Sequence, residues 1–280
     1  MKAIRLLRPA QWLKNGFVIA PLIFSRSFVS PSAVAHSLAA FVIFCGAASA
    51  GYIINDVFDR ESDRAHPVKR LRPIAAGEVS VSVAVTIVTI LIPILLVAAW
   101  FVAPKFLLAV ALYLALATAY SIYLKTMPII DLFAIACGFV LRVWGGAVVI
   151  DVVLSVFMFI TTLSLALYLA ATKRRQELLS TTTASDFRPV LQHYSVKLMD
   201  DYSEIAVVAT FVFYGLYIAT VRPQLAVTVP VVLFGVFRYR YLMERSHDES
   251  PTDRMVRDPQ MIVCAVLWAA ISITVLYLAS

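Results

Sequence analysis

Residues 33–64 read AVAHSLAAFVIFCGAASAGYIINDVFDRESDR, a long apolar run that ends in a cluster of carboxylates. Roughly 18 apolar residues in a helix are enough to cross the ~30 Å hydrocarbon core of a bilayer. Similar runs recur along the 280 residues, of which 61% are hydrophobic and 15% charged, and the mean hydropathy is +0.86. This balance excludes a water-soluble domain and predicts an all-α, polytopic membrane protein.

Charged residues, prolines and glycines divide the apolar runs into about nine predicted transmembrane helices in a single bundle and a single domain, residues 1–280. The runs are continuously apolar, which excludes the alternating strands of a β-barrel. The three cysteines lie inside apolar runs, which excludes a secreted disulfide framework. The predicted spans lie near residues 15–30, 33–55, 80–102, 106–124, 128–150, 154–172, 203–221, 225–243 and 261–279.

The distribution of positive charge predicts the topology. With the N-terminus in the cytoplasm, every lysine and arginine lies on the cytoplasmic side except Arg26, Lys105, Arg222 and the intramembrane Arg142. The positive-inside rule therefore predicts a cytoplasmic N-terminus and a C-terminus outside. The net charge of +7 makes the cytoplasmic face basic, and attraction to anionic lipid explains most of those cations but not the carboxylates among them.

The carboxylates at the end of the second span predict a metal site. Asn55, Asp59 and Asp63 are spaced four apart, so they share one face if the helix continues. Like charges at that spacing repel each other unless a cation neutralises them. Carboxylate and amide oxygens suit Mg²⁺, which proteins usually hold with one or two carboxylates and substrate phosphates. We expect these three residues to form the catalytic metal face, with Asp56 in support.

A second interpretation of the carboxylates is a solvated helix end that pairs with the interleaved Arg60 and Arg64. The loop that follows favours the metal interpretation, since it contains Lys69, Arg70 and Arg72. Cations beside a metal-binding face are suited to phosphate oxygens, because arginine binds them in a bidentate manner and lysine as a point charge.

The acidic motif and the loop after it form a specific pattern. The motif Asn-Asp-x-x-Asp-x-x-x-Asp that begins at Asn55, followed by RPIAAG at residues 72–77 and about nine helices, resembles the UbiA superfamily of intramembrane prenyltransferases. The resemblance covers nearly the whole chain. It implies a diphosphate held through Mg²⁺ on aspartate-rich motifs that face the cytoplasm, with an isoprenoid chain in a lateral opening to lipid.

The loop after the sixth span departs from the superfamily members of the quinone and haem pathways, which carry a second aspartate-rich motif there. Residues 171–179 read ATKRRQELL, with one acidic residue, Glu177, among three cations. Such a site holds at most one carboxylate-rich metal centre and must bind further negative charge with lysine and arginine. The substrates should therefore carry more phosphate than one diphosphate.

Together with RPAQWLKN at residues 8–15 and APLIFS at residues 20–25, this loop resembles the polyprenyl-phosphate phosphoribosyltransferase branch of the superfamily. The resemblance implies 5-phosphoribosyl 1-diphosphate as donor and a polyprenyl (decaprenyl-type) phosphate as acceptor. The expected products are polyprenyl-phosphoryl-5-phosphoribose, a precursor of lipid-linked arabinose for cell-envelope polysaccharide, and diphosphate. It also implies a bacterial inner-membrane enzyme with its active site on the cytoplasmic side and no nucleic-acid partner.

Several polar residues are candidates for substrate binding. The candidates for the diphosphate and the lipid phosphate are Lys14, Lys69, Arg70 and Arg72. The candidates for the ribose-side phosphate are Lys173, Arg174, Arg175, Arg188 and Tyr194. The remaining candidates are Asn15, Tyr120, Lys125, Asp131 and Glu177. Glu177 either contacts a ribose hydroxyl or orients a neighbouring arginine, and Tyr120 is either an interfacial anchor or a substrate contact.

Two ionisable residues lie inside the apolar fifth span, where they should face the bundle interior. Asp131 and Arg142 are about 16 Å apart along a helix, too far to pair directly. Asp131 lies near the cytoplasmic end, within reach of Lys125 or the phosphate site. For Arg142 an internal polar network is favoured over a role at the outer side. Glycines of the same span, including Gly146, predict close packing.

Two other functions fit part of the sequence. An aromatic prenyltransferase would use a polyprenyl diphosphate as donor but would have kept several aspartates in the second loop. A transporter for a phosphorylated metabolite would explain the intramembrane charges and the basic inner face, but not the carboxylate face at a helix end. The absence of a nucleophile paired with histidine agrees with a transferase whose acceptor, a lipid phosphate, is already ionised.

Overall fold

The structure, a computed structural model, describes residues 2–180, 189–245, 254–255 and 257–279. Every regular element among these residues is a helix, so the predicted all-α fold is confirmed. The α-helices, numbered in chain order, are α1 (Lys2–Leu7), α2 (Ala20–Phe24), α3 (Pro31–Phe58), α4 (Arg60–Ala65), α5 (Val81–Val102), α6 (Pro104–Ile122), α7 (Ile130–Val148), α8 (Val156–Ser180), α9 (Val196–Thr220), α10 (Val229–Glu244) and α11 (Pro259–Leu278).

Within the described ranges, eight helices are long and apolar enough to cross a bilayer. They are α3 and α5 to α11, where α10 is taken together with the 3-10 turn Pro223–Thr228 that precedes it. The chain is therefore a multi-pass membrane protein. Nine spans were predicted, and the difference lies entirely at the N-terminus.

The first predicted span, residues 15–30, is not one long α-helix. Pro9–Ile19 forms an 11-residue 3-10 helix that continues directly into the 5 residues of α2. Arg8 and Arg26, both with positive φ (51° and 65°), turn the chain at either end. With rises of about 2.0 Å and 1.5 Å per residue, this segment is still about 30 Å long, which matches the hydrocarbon core.

The largest cluster of buried apolar side chains lies mainly on α3, α5 and α6. Phe44 of α3 and Phe106 of α6 are fully buried with their ring centroids 5.6 Å apart, and Tyr113 packs against Phe44 at the same distance. The many alanines of α3 allow neighbouring helices to approach closely. In contrast, α5 and α11 expose most of their apolar side chains, which makes them the lipid-facing helices of the bundle.

Helix α3 carries the acidic motif out of the bundle. The break between α3 and α4 falls at Asp59, but the helical hydrogen bonds continue across it. The N–H of Asp59 donates to the carbonyl oxygen of Asn55 and the N–H of Asp63 donates to that of Asp59, each over 2.8 Å. The motif is therefore helical from Asn55 to Asp63, as the four-residue spacing predicted.

Candidate functional site

Asp59 stands at the junction of α3 and α4 and accepts hydrogen bonds through both oxygens. Nδ2 of Asn55 donates to Oδ2 over 2.8 Å, and Nζ of Lys125 donates to Oδ1. Lys125 comes from the 3-10 turn Leu124–Thr126 between α6 and α7. The predicted shared face of Asn55 and Asp59 is present, and a lysine from a distant loop already contacts it.

Asp56 is buried beside this pair, with 1% of its surface exposed. Its Oδ1 accepts hydrogen bonds from Arg8 and, over 3.2 Å, from Arg72. Its Oδ2 is also buried and has no hydrogen-bonding partner among the described residues. A buried acceptor without a donor is costly, so this oxygen is suited to receive a further cation.

Asp63 completes the acidic motif through Arg72, whose Nη1 lies 2.6 Å from Oδ2 of Asp63. Burial raises the pKa of Asp63 above its ordinary value, and repulsion from Asp56 and Asp59 acts in the same direction, whereas Arg72 lowers it. Arg72 thus joins two carboxylates of the motif through one guanidinium group. Arg72 was predicted to contact phosphate, and in this structure it neutralises the motif instead.

The motif fits a metal ion only in part. Among the described residues, no group of three His, Cys, Asp or Glu side chains is arranged to hold a metal by itself. However, the oxygens of Asn55, Asp59 and Asp56 are the hard donors that Mg²⁺ prefers, and Oδ2 of Asp56 is buried without a donor. The residues therefore fit a Mg²⁺ ion that receives its remaining ligands from outside this motif.

A second polar cluster surrounds Arg174 of α8, whose side chain is completely buried. Its Nε donates to Oδ2 of Asp131 over 2.8 Å, and Asp131 is also fully buried. Its two terminal nitrogens donate to Oε2 of Glu177 over 2.8 Å and to the hydroxyl of Tyr120 over 3.0 Å. Each of the three guanidinium nitrogens therefore has a protein partner. Asp131 binds Arg174, whereas the sequence placed it within reach of Lys125 or the phosphate site.

Tyr194 connects this cluster to the start of α7. Its hydroxyl donates to Oδ1 of Asp131 and accepts from the N–H of Ile129 over 2.6 Å. Ile129 has φ 67° and ψ −46°, and the N–H of Ile130 donates to the carbonyl of Pro128 over 2.7 Å, which is a γ-turn with positive φ. A β-branched residue in that region is strained, so Tyr194 holds a strained turn in place.

Glu177 and Lys173 are the parts of the second cluster that reach solvent. A quarter of the Glu177 side chain and 44% of the Lys173 side chain are exposed, and their charged atoms are 4.0 Å apart. Arg175 points elsewhere: it binds Asp200 of α9 over 2.8 Å and Glu244 of α10 over 3.1 Å. The three consecutive cations of α8 therefore have three different environments.

The two clusters approach each other across the loop after α4. Burial lowers the pKa of His66, the neighbouring Lys69 and Arg72 lower it further, and Glu177 acts in the opposite direction. An electrostatic effect of Glu177 on His66 requires the end of α8 to lie near that loop. The acidic motif and the cationic end of α8 thus border one region.

Asn15 lies in the core instead of beside a phosphate site. It is fully buried, its Oδ1 accepts from Nε of Arg142 over 2.7 Å, and its amide contacts Cys45. Arg142 also donates to the hydroxyl of Tyr113 over 2.9 Å and to the carbonyl of Gly138 over 2.8 Å. The predicted internal polar network around Arg142 is confirmed, and Asn15 belongs to it.

The remaining candidates for substrate binding are Lys14, Lys69, Arg70 and Arg188. Lys14 and Lys69 are partly buried, in the 3-10 segments Pro9–Ile19 and Lys69–Leu71, and Arg70 is exposed. Arg188 lies outside the described residues.

One residue of the acidic site, Arg8, was used in the sequence analysis for the topology and as part of RPAQWLKN, but it was not predicted as a site residue. Arg8 binds Asp56, and its guanidinium lies 5.3 Å from the centroid of the Tyr52 ring. The sequence feature that could have indicated this role is an arginine directly before a proline, at a turn of the chain. In the structure Arg8 has a φ of 51°, and this turn brings its side chain back onto α3.

Known proteins resemble this chain over most of its length. Residues 17–269 match the UbiA prenyltransferase family. A decaprenyl-phosphate phosphoribosyltransferase of Mycolicibacterium smegmatis is 31% identical, covering 95% of this chain and 89% of that protein. The protein of the same name from Corynebacterium glutamicum is 30% identical over 98% of this chain and 86% of its own length.

Solved structures agree at the level of the fold. A UbiA homolog from Archaeoglobus fulgidus, bound to GPP and Mg²⁺, superposes with a TM-score of 0.79 at 18% identity, covering 98% of this chain and 99% of that one. The family match over most of the length and the identity to full-length relatives lead to one conclusion: this chain belongs to the UbiA prenyltransferase family.

Proposed function

We propose that this chain, acting as one domain over residues 1–280, is a Mg²⁺-dependent polyprenyl-phosphate phosphoribosyltransferase. It transfers 5-phosphoribose from 5-phosphoribosyl 1-diphosphate to a polyprenyl phosphate of the decaprenyl type and releases diphosphate. The lipid product serves as a precursor of lipid-linked arabinose for cell-envelope polysaccharide. The observation that carries the proposal is the pairing of one carboxylate-rich motif on α3 and α4 with a second cluster on α8 that combines lysine and arginine with a single partly exposed carboxylate, Glu177.

The residue types of the two clusters suit a substrate that carries a metal-bound diphosphate and a separate phosphate. Asp56, Asp59 and Asp63 suit a metal that carries a diphosphate. The second cluster offers Lys173 beside Glu177, an arrangement that suits a phosphorylated sugar more than a second metal-bound diphosphate. The names of the relatives that align over most of the chain support this choice of substrates over a polyprenyl diphosphate and an aromatic acceptor.

Asn55, Asp56 and Asp59, with Asp63, would hold the metal. When bound, Mg²⁺ supplies Lewis-acid stabilisation of the charge on the departing diphosphate. In this structure side chains neutralise the same carboxylates: Lys125 binds Asp59, and Arg72 binds Asp56 and Asp63. These cations lie within one side-chain length of the site, so they would move from the carboxylates to phosphate oxygens as substrate arrives.

The reaction is a displacement at the anomeric carbon of the ribose. An oxygen of the lipid phosphate forms the new bond to C1, and the bond from C1 to the diphosphate oxygen breaks with its electron pair. Lys125 and Arg72 stabilise the anionic leaving group, and no proton has to be removed from the ionised acceptor. Glu177, held by the buried Arg174, accepts a hydrogen bond from a ribose hydroxyl, and Lys173 binds the 5-phosphate.

The active site faces the cytoplasm of a bacterial cell, at the inner membrane, with the N-terminus on the same side. The acidic motif, the loop with Lys69 and Arg72, and the end of α8 all fall in the segments that the positive-inside rule assigns to the cytoplasm. A water-soluble phosphoribosyl donor is reached from that side, while the polyprenyl chain remains in the bilayer.

The test is transfer of label from radiolabelled 5-phosphoribosyl 1-diphosphate to a polyprenyl phosphate by the purified protein with Mg²⁺. Label is expected in the lipid phase, and it should be lost with a chelator and in Asp59→Asn. Asp201→Asn, an exposed carboxylate of α9, is the matched control and should keep full activity. Folded protein that transfers no label, but prenylates an aromatic acceptor from a polyprenyl diphosphate, would refute the proposal.

A further inference from the structure

Arg60 and Arg64 of α4 do not pair with Asp59 and Asp63, the aspartates that directly precede them in the sequence. Asp59 binds Asn55 and Lys125, and Asp63 binds Arg72. The carboxylate next to both arginines is that of Glu61, at 3.8 Å from Arg60 and 3.5 Å from Arg64. Glu61 is 79% exposed, so these contacts contribute little and compete weakly with another anion.

The two arginines lie on a face of α4 that differs from the metal face. They are four residues apart and each follows an aspartate by one position, so a helix places them together and about 100° away from Asp59 and Asp63. Nε of Arg64 donates to the carbonyl oxygen of Ala75 over 3.2 Å, which fixes its guanidinium against the loop before α5.

A cavity of about 370 Å³ lies where this face of α4 meets the loop and the start of α5. Its lining includes two arginines, two serines and apolar residues, among them Arg60, Arg64, Ile74, Ser80, Val81 and Ser82. Ser80 already caps α5 by accepting from the N–H of Val83, so the arginines supply the charge of the cavity. The volume is in the range of small-ligand sites, about 300–1,000 Å³.

The position of the cavity indicates where its ligand comes from. Helix α5 begins at Val81, and the next turns expose Val83 and Val85 by about half of their surfaces. Exposed apolar side chains on a transmembrane helix face the acyl chains of the bilayer. The cavity lies at the N-terminal end of α5, and therefore at the level where the apolar surface of this helix ends. Phospholipid phosphates occupy this level of a membrane.

We propose that Arg60 and Arg64 form a binding site for the headgroup phosphate of an anionic membrane phospholipid, with its acyl chains along α5. The guanidinium groups bind the phosphate oxygens in a bidentate manner, and Ser80 and Ser82 donate hydroxyl hydrogen bonds. The site is separate from the proposed reaction, because the cavity does not include any residue of the acidic motif or of the Arg174 cluster.

The experiment is native mass spectrometry of delipidated protein in an uncharged detergent, titrated with dioctanoyl phosphatidylglycerol. The wild type is expected to bind the lipid, and the pair Arg60→Gln with Arg64→Gln should bind it about tenfold more weakly. Lys197→Gln with Arg245→Gln removes the same charge at exposed positions elsewhere and should bind like the wild type. Dioctanoylglycerol, which has the acyl tails without the phosphate, should bind equally well to the wild type and to both pairs of variants.

Three outcomes would overturn the proposal: unchanged lipid binding in the Arg60 and Arg64 pair, equal loss in the control pair, or displacement of the lipid by inorganic phosphate at equal concentration. If the glutamine pair does not fold, Arg60→Lys with Arg64→Lys takes its place. That variant keeps the charge and loses bidentate geometry, so binding should fall several-fold. None of these measurements depends on turnover, so they are independent of the proposed reaction.

Discussion

Arg174 and Asp131 form an ion pair in which both side chains are fully buried, with Nε and Oδ2 2.8 Å apart. The two residues are 43 positions apart in the sequence and join α8 to α7. Arg174 also holds Glu177, whose carboxylate reaches the solvent-exposed part of the cluster. Arg174 is therefore a positioning residue for Glu177, although its place among three cations predicted a phosphate contact.

The first prediction concerns removal of one partner of this pair. Arg174→Leu leaves the Asp131 carboxylate buried without its cation, and the free energy of unfolding should fall by about 3–5 kcal/mol. Replacing both residues with leucine should cost less than Arg174→Leu alone, because no unpaired charge remains. The measurement is equilibrium unfolding of the purified variants in mixed micelles.

Lys173→Leu is the control for Arg174. Its side chain is 44% exposed, so its removal should leave stability near that of the wild type and weaken binding of the phosphoribosyl donor. Equal stability of Arg174→Leu and Lys173→Leu, combined with a loss of donor binding in both, would show that Arg174 contacts the substrate directly.

The second prediction concerns the lysine on the metal face. Lys125→Met removes the cation that binds Asp59. Without that competitor, Mn²⁺ should bind the substrate-free protein more tightly, by several-fold, because the carboxylate charge is no longer neutralised. Turnover should fall in the same variant, since Lys125 no longer stabilises the leaving diphosphate.

Mn²⁺ binding is followed by electron paramagnetic resonance of the free ion, and turnover by label transfer. Lys197→Met, at an exposed position of α9, is the matched control and should change neither quantity. Weaker Mn²⁺ binding in Lys125→Met would mean that Lys125 supports the metal face rather than competing with the ion.

Local patterns in the sequence predicted the local parts of this molecule. Apolar length predicted the spans, and the four-residue spacing predicted the contact of Asn55 with Asp59. Contacts between distant segments were not predictable in this way. Lys125 reaches Asp59 across 66 residues and Arg142 reaches Asn15 across 127, and no local pattern encodes either pairing.

The run from Lys173 to Arg175 shows why contacts between distant segments cannot be predicted from a local pattern. Three adjacent cations look equivalent in the sequence, but successive residues of a helix point about 100° apart. Arg174 therefore faces the interior and Asp131, whereas Arg175 faces α9 and Asp200. Which of the three faces the substrate depends on how α8 packs, and that is decided by contacts along the whole bundle.

The third prediction concerns the close approach between α7 and the 3-10 helix Pro9–Ile19. A Cβ on Gly146 would lie 1.9 Å from the carbonyl oxygen of Val18, a backbone atom that cannot rotate away. Gly146→Ala should therefore displace the 3-10 helix, and the Arg142–Asn15 hydrogen bond with it. The expected loss of stability is at least about 2 kcal/mol, measured as a lowered unfolding midpoint.

Gly215→Ala in α9 is the matched control, because a Cβ there meets no atom within 4 Å. Alanine favours a helix over glycine by up to about 1 kcal/mol, so this variant should be as stable as the wild type or more so. A Gly146→Ala protein that unfolds at the same midpoint as Gly215→Ala would show that the 3-10 helix is free to move away from α7.

The fourth prediction is a pH dependence at the connection between α10 and α11. Arg238 binds both oxygens of Asp258, over 3.2 and 2.7 Å, and this holds the pKa of Asp258 below its ordinary value. A group with a lowered pKa in the folded state stabilises the protein above its unfolded pKa, about 3.9, and that contribution is lost as the pH falls through the folded value. Asp258 also caps α11 by accepting from the N–H of Met261 over 2.9 Å, a contact that asparagine can keep.

Asp258→Asn should therefore be less stable than the wild type by a constant amount between about pH 8 and pH 5, and the difference should shrink below about pH 4. The measurement is the unfolding midpoint of both proteins across this range. Asp201→Asn, which changes an exposed carboxylate of α9, should match the wild type at every pH. A stability difference for Asp258→Asn that persists unchanged at the lowest pH would show that the helix cap, and not the charge on Asp258, supplies the stabilisation.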